Sequence, residues 1–388
     1  MTRRAFLIVL DGLGAGAAHD AAAYGDLGSA TLGNVLRANP DLRLPHLESL
    51  GLGFCGDTGV PKSAKPRAAH GSAQPRSAGK DSISGHWELC GVILETPFPT
   101  YPNGFPPALL AEFAGRTNRA VIGNKAASGT AILAELGAEH MATGKWIVYT
   151  SADSVFQIAA HVDVVPLGEL YAAGEIARGL LTGPHGVARV IARPFAGAVG
   201  AFQRTADRKD FSREPIGPTL LDHLATAQVP VRGVGKVDDL FAGRGITSTH
   251  TPTNPQAYTL IDQAMAGMVN GLLFANVIEF DQSWGHRNDV AGFVGGLKEL
   301  DQWIPRLLHQ ARDEDLIIFT ADHGNDPTTA STDHARERIP ILATGPRCRP
   351  VSIGERSTFA DVGQTIAEFL GVSPLAAGQS FLSDIWSA

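Results

Sequence analysis

Three aspartates stand just behind short apolar runs in this 388-residue chain. Asp11 follows AFLIVL, Asp281 follows GLLFANVIEF, and Asp322 closes DLIIFTAD with His323 beside it and Gly324 next. His286 comes five residues after Asp281, and His334 twelve after Asp322. Taken singly, an aspartate behind a strand is ordinarily a turn or capping residue, and a lone histidine a satisfied side chain. Taken together they form a set of oxygen and imidazole donors without a thiolate. Carboxylates gathered in an interior repel one another and lose hydration, a cost that cations remove. Such donors suit Mn²⁺, Zn²⁺ or Fe²⁺, and six side chains exceed what one tetrahedral ion takes. The set predicts two metal ions sharing one site.

A candidate for what the metals act with lies in AGKDSISGHWELCG, residues 78–91. Ser82 precedes a stretch able to start a helix, whose exposed N–H groups and positive dipole end favour a phosphate or alkoxide. A hydroxyl beside a metal loses its proton more readily and becomes a nucleophile. Spacing alone favours a plainer role, helix N-cap, for which Asp81 and Ser84 are equally eligible. A competing motif is GLGAGA, residues 12–17, which matches the glycine pattern of dinucleotide-binding turns. Asp11 would repel a pyrophosphate there, and no acid-ended second strand follows about 20 residues later.

Short apolar runs alternating with helical patterns must position these residues, which implies an α/β fold built on a parallel sheet. Strands are expected at Ala5–Leu10, Ala120–Ile122, Trp146–Thr150, Val187–Ala192, Leu272–Phe280, Leu316–Thr320 and Ile339–Ala343. Helices are expected at Pro106–Arg116, Ile132–Thr143, Leu167–Leu181, Asn254–Ala266 and Val290–Ala311. Residues 61–80, PKSAKPRAAHGSAQPRSAGK, read as a long surface loop. Open α/β sheets bind ligands at the carboxyl ends of their strands, which is where the three aspartates fall.

Composition narrows the function classes. A hydrophobic share of 44% with 18% charged residues is that of an ordinary soluble globular protein. A formal net charge of −7 argues against general nucleic-acid binding. Cys55, Cys90 and Cys348 are odd in number and far apart, which fits a reducing cytoplasm. The first apolar run ends at Asp11 and is too short for a secretory core of roughly 7–15 residues. No segment approaches the roughly 20 apolar residues of a membrane span. No protein partner is evident.

The segments VLDGLGAGAAHDAAAYGDLGSATLGN, GKDSISGHWELCG, YTSADSVFQIAAH, VIARPFAG, FDQSWGHRND and TADHGNDPTTASTDHARERIP resemble the bacterial phosphopentomutase family of the alkaline phosphatase superfamily. The resemblance runs from near residue 5 to near residue 385, in the family's order. It implies an alkaline-phosphatase-like core sheet with helices on both faces, residues 1–98 and 216–388, and a smaller inserted α/β cap domain, 99–215. It further implies two Mn²⁺ ions, one held by Asp281, His286 and His334, the other by Asp11, Asp322, His323 and the nucleophile Ser82. Asp153 of the cap would meet sugar hydroxyls, and Arg189, Arg204 and Lys236 the phosphate far from the metals. The implied activity interconverts α-D-ribose 1-phosphate, or the 2-deoxy sugar, and the 5-phosphate through a phosphoserine and a 1,5-bisphosphate. A sugar bisphosphate, glucose 1,6-bisphosphate or ribose 1,5-bisphosphate, would be the activator. The alternative within the superfamily is a metal-dependent phosphatase or another phosphosugar mutase. Two positions depart from the family's pattern: Ser82 stands where Thr is common, and Gly12 where Ser is common.

Overall fold

The computed structural model describes residues 3–151 and 153–387. They form two compact units, one from the chain up to Pro97 together with the chain from Pro215 on, the other from Phe98–Glu214. The first unit begins with strands β1 (Arg4–Leu10) and β2 (Ala69–Ala73). The second contains β3 (Val121–Ala126), β4 (Trp146–Thr150), β5 (Val155–His161), β6 (Arg189–Ala196), β7 (Gln203–Arg204) and β8 (Lys209–Ser212). The first unit resumes with β9 (Val231–Val234), β10 (Ser248–Thr249), β11 (Gly271–Val277), β12 (Asp315–Thr320), β13 (Ile339–Thr344) and β14 (Ser352–Arg356).

In the first unit the sheet order is β10-β9-β11-β1-β12-β13-β2-β14. Every residue of β1, β11 and β12 is buried, so these strands read as continuous apolar runs rather than as alternation. β1 pairs in parallel with both neighbours, Leu10 opposite Val277 and Val9 opposite Thr320. Three adjacent strands therefore end at one level, and the residues just past each are delivered to one edge. Helix Val290–His309 buries the stripe Phe293, Leu297, Leu300, Ile304 and Leu307, the three-and-four spacing of one helical face.

Three expectations need correction. The sheet is mixed, because β13 runs antiparallel to both β12 and β2. Parallel neighbours need a crossover, usually helical, but the chain between β12 and β13 forms no helix and simply returns alongside β12. Residues 61–80 are not all surface loop, since β2 is a fully buried strand within them. Its sequence AHGSA lacks large apolar side chains because neighbouring backbone comes very close: a Cβ on Gly71 would lie 2.2 Å from the Gly354 carbonyl oxygen. Finally, the strand expected to reach Phe280 stops at Val277, and Phe280–Trp284 forms a π-helical turn. The chain breaks there because Glu279 turns aside to helix Asn254–Gly267, accepting from Asn254 N at 2.6 Å while its own N–H reaches Asn254 Oδ1 at 3.0 Å. β6 also starts and ends later than expected, and the expected helices recur with ends moved by a turn or less.

The second unit has sheet order β3-β4-β5-β6-β7, with β8 also on β6. One face packs Trp146, Val148, Phe156 and Ile158 against Phe113 of helix Pro107–Thr117 and Leu170 of helix Leu167–Leu180. The other packs Ile147, Tyr149 and Phe195 against Ile132 and Leu133 of helix Gly129–Thr143. A sheet covered on both faces gives this unit a hydrophobic core of its own.

Candidate metal centre and nucleophile

The level ends of β1, β11 and β12 bring Asp11, Asp281, Asp322 and His323 to one place, and all four are buried. Two groups of donors result, each with ligand atoms close enough for one ion: Asp281 with His286 and His334, and Asp11 with Asp281 and His323. In the first, His286 Nε2 lies 3.2 Å and His334 Nε2 3.3 Å from the Asp281 carboxylate. In the second, His323 Nε2 lies 3.3 Å from Asp11 Oδ1; Asp322, which is not in that group, has Oδ2 3.4 Å from the same nitrogen. The His323 and His334 rings are 4.2 Å apart, so the groups adjoin.

Surrounding groups fix the donors. Asn276 on β11 donates to Asp11 Oδ2 at 2.9 Å, and Asn325 to Asp281 Oδ1 at 2.6 Å. The carbonyl of Thr332 sits 2.7 Å from His286 Nδ1, and that of Gly324 3.1 Å from His323 Nδ1, leaving each Nε2 turned to the carboxylates. Histidines oriented from behind in this way are typical of metal ligands. Gly12 N donates to Asp322 Oδ1 at 3.2 Å from a left-handed backbone, φ +78°. A Cβ there would press on Asn325 and Asp281, so glycine suits this position sterically. Glu337 ties the loop after β1 to helix α1 (Thr31–Ala38), accepting from Gly16 N and from Thr31 N and Oγ1. The GLGAGA stretch opens no helix, since the next α-helix starts at Thr31, so the dinucleotide motif lacks its helix.

Helix α2 (Pro45–Leu50) lies elsewhere; α3 (Ser82–Leu89) carries the candidate nucleophile. The cap of α3 is Asp81, which accepts from Ile83 N and Ser84 N in a capping box with Ser84. Ser82 is thereby spared the capping role. Its Oγ lies 3.0 Å from His323 Nε2, at the donor groups. Close approach of α3 depends on Gly85, where a Cβ would fall 2.2 Å from the Asp322 carbonyl oxygen.

The electrostatics call for a cation. Burial, then the charges of Asp322 and Asp281, push the Asp11 carboxyl up to about 6. Burial would also raise Asp281, but His334 and His286 hold it well below the usual carboxylate range. Burial would lower His323, yet Asp322, Asp11 and Asp281 hold it well above its ordinary value. Asp11 Oδ1 and Asp322 Oδ2 are buried without a hydrogen bond of good geometry. Unsatisfied buried carboxylate oxygens among imidazoles fit hard or borderline divalent ions.

The four remaining sequence candidates divide between the units. Asp153, between β4 and β5, lies 3.9 Å from Arg189, which also approaches Asp210 at 3.8 Å. Arg204 is exposed on β7, and its Nη1 lies 3.5 Å from where a Cβ on Gly129 would sit, at the start of helix Gly129–Thr143. Lys236 belongs to the first unit, donating to Gln282, the neighbour of Asp281, at 2.7 Å. Sequence reasoning passed over His86, Asn276 and Asn325. His86 alone left a usable signal, lying one helical turn beyond Ser82.

Residues 3–374 match the metalloenzyme superfamily. Over 386 residues the chain is 50% identical to the phosphopentomutase of Acetivibrio thermocellus, covering 99% of this chain and 100% of that protein. It is 52% identical over 386 residues to the phosphopentomutase of Dictyoglomus turgidum, covering 99% and 98%. The chain belongs to the phosphopentomutase family. Among solved structures, phosphoglycerate mutase of Leishmania mexicana superposes with a TM-score of 0.50 at 12% identity, covering 100% of this chain and 98% of that one. A Pyrococcus horikoshii protein gives 0.50 at 14% identity, covering 97% and 99%. These likenesses speak to the fold, which is alkaline-phosphatase-like as the sequence implied. Members of the family are isomerases, and the carboxylate and imidazole groups make this chain a metal-binding one. No helix among the described residues is long and apolar enough to cross a membrane.

Proposed function

We propose that this chain interconverts α-D-ribose 1-phosphate, or its 2-deoxy counterpart, and the 5-phosphate, with Ser82 as the phosphoryl carrier. The observation that carries the reading is Ser82 Oγ at 3.0 Å from His323 Nε2, beside two adjoining donor groups, in a chain half identical to phosphopentomutases throughout its length. Asp281, His286 and His334 would hold one Mn²⁺, and Asp11, Asp322, His323 and Ser82 a second. Bound there, the ions supply charge stabilisation and alignment for an in-line phosphoryl transfer.

This chain's residues do the rest. Phosphorylated Ser82 gives its phosphoryl group to the free sugar hydroxyl, producing a 1,5-bisphosphate. The intermediate turns round, and Ser82 Oγ takes back the other phosphoryl group. Asp153 holds the sugar hydroxyls, and Arg189, Arg204 and Lys236 the phosphate not in transfer. The second unit serves as a cap that retains the bisphosphate and excludes water from the phosphoserine. Its own two-faced core and its place in the chain between Ser82 and the later donors support that role. Phosphate lost to water leaves Ser82 bare, so a sugar bisphosphate such as glucose 1,6-bisphosphate primes the enzyme, which works in the cytoplasm.

Parallel assay of ribose 5-phosphate formation and free phosphate release tests the reading. Isomerisation should far outrun release. Release faster than isomerisation would overturn the mutase in favour of a phosphatase.

A further inference from the structure

His86 has no part in the phosphoryl transfer proposed for Ser82, yet it is fully buried one turn along α3 from that serine. Its ring stacks on Phe274 of β11, with centroids 5.6 Å apart. Nδ1 meets two acceptors at once, the Ser82 carbonyl at 2.9 Å and Asp322 Oδ2 at 3.1 Å. Nε2 is buried without a hydrogen-bond partner. Since both neighbours of Nδ1 can only accept, that nitrogen carries the hydrogen. An unpartnered Nε2 is better left as a bare lone pair, because a buried N–H without an acceptor costs its full desolvation penalty.

Asp322 is thus approached from two sides: Gly12 N donates to Oδ1, and His86 Nδ1, whose hydrogen bond goes to the Ser82 carbonyl, lies 3.1 Å from Oδ2 as a charge contact. His86 is the one that also touches the backbone of the residue bearing the candidate nucleophile. We infer that His86 is a positioning residue, an Nδ1–H donor that ties Asp322 to the Ser82 backbone and so sets the metal donor and the nucleophile at a fixed separation. The inference rests on the metal reading of Asp322 and deepens it. A glutamine at 86 would put its amide near the place of Nε2 and lose the tie, whereas an asparagine would put its amide near the place of Nδ1 and keep it.

The experiment measures Mn²⁺ affinity by competition with a fluorescent chelator for wild type, His86→Gln and His86→Asn, with melting of the metal-free proteins as the folding control. His86→Gln should bind Mn²⁺ roughly 10–100-fold more weakly, the usual cost of losing a group that orients a ligand. His86→Asn should stay close to wild type. Long-range ¹H–¹⁵N spectra of the histidine-labelled, Mg²⁺-loaded wild type should show His86 with its hydrogen on Nδ1. Equal affinities for wild type and His86→Gln, equal losses in both variants, or hydrogen on Nε2 would each overturn the inference. A wild type that holds no metal at this edge would overturn the metal reading itself, an outcome distinct from variants that match a metal-loaded wild type.

Discussion

The edge of the first unit and the arginines of the second unit's sheet are held to different tolerances. In the first, the buried carboxylates are each held by a second group: Asn276 on Asp11, Asn325 on Asp281, Gly12 N on Asp322. In the second, Arg189 and Asp153 keep side-chain exposures of 31% and 38% and pair only at 3.9 Å. Charges buried among fixed partners cannot relax when one is removed, whereas half-exposed pairs are solvated and loosely coupled. The first region has the build of a preorganised reaction site. Under the proposed function, the second would act as a grip adaptable enough for a phosphosugar presented in two orientations.

The comparison breaks first at Ser82. Ser82→Ala should abolish mutase turnover and labelling by a sugar bisphosphate while leaving the fold intact, since Asp81 rather than Ser82 caps the helix, and metal content largely so, since Asp11, Asp322 and His323 remain to hold the second ion. Mass spectrometry of the labelled wild type should find phosphate on Ser82. Full activity in the variant, or phosphate on Ser84, would transfer the nucleophile elsewhere.

Next come the donors. Chelation should inactivate the enzyme, and Mn²⁺ should restore it at least as well as Mg²⁺, which seldom accepts several imidazoles. His286→Ala and His334→Ala should each weaken the same ion, because both flank Asp281. Elemental analysis should fall from two metals per chain towards one in either variant. One metal per saturated wild-type chain would defeat the two-ion arrangement.

In the adaptable region the loss should be partial. Arg204→Ala should lower mutase activity by more than tenfold, in line with a lost charge-assisted phosphate contact of roughly 1.5–3 kcal/mol. Slow hydrolysis of the phosphoenzyme should persist or rise, which phosphate release from the ³²P-labelled protein would measure. An unchanged mutase rate would remove Arg204 from the substrate grip.

The two regions also differ in how far the sequence alone makes them legible. The strands delivering Asp11 and Asp322 are plain because β1 and β12 are covered on both faces and so carry unbroken apolar runs, Ala5–Leu10 and Leu316–Phe319. The turn that presents Asp281 is hidden, because Ile278 and Phe280 are buried like strand residues while the break is made by Glu279 reaching a distant Asn254. β2 is invisible for a related reason: its tight neighbours select small residues, and small residues carry no apolar signal. In the second unit β8, KDFS, pairs with β6 although only Ser212 is buried, so neither alternation nor an apolar run marks it. Residues that act through a partner far along the chain, such as Asn276 and Asn325, leave no local pattern at all.

The smallest expected effect separates the two regions by backbone alone. Gly12 holds φ +78°, and a Cβ there would lie 3.1 Å from Asn325 Cβ and 3.2 Å from Asp281 Cβ. Gly168 lies in helix Leu167–Leu180, exposed, with nothing within 4 Å of its would-be Cβ. Alanine at Gly12 must therefore take a left-handed backbone and push two residues of the donor edge aside by a few tenths of an ångström. The backbone alone costs on the order of 1–2 kcal/mol. Alanine at Gly168 enters a conformation it favours and should stabilise the chain by roughly 0.5–1 kcal/mol. Thermal or urea unfolding of the metal-free proteins should thus move in opposite directions for the two variants. Only Gly12→Ala should also loosen Mn²⁺, because Gly12 N is a hydrogen-bond donor to Asp322 and its would-be Cβ meets Asp281. A Gly12→Ala protein that keeps wild-type stability and metal affinity would mean the donor edge yields as readily as the arginine region, and the contrast in tolerance between them would be lost.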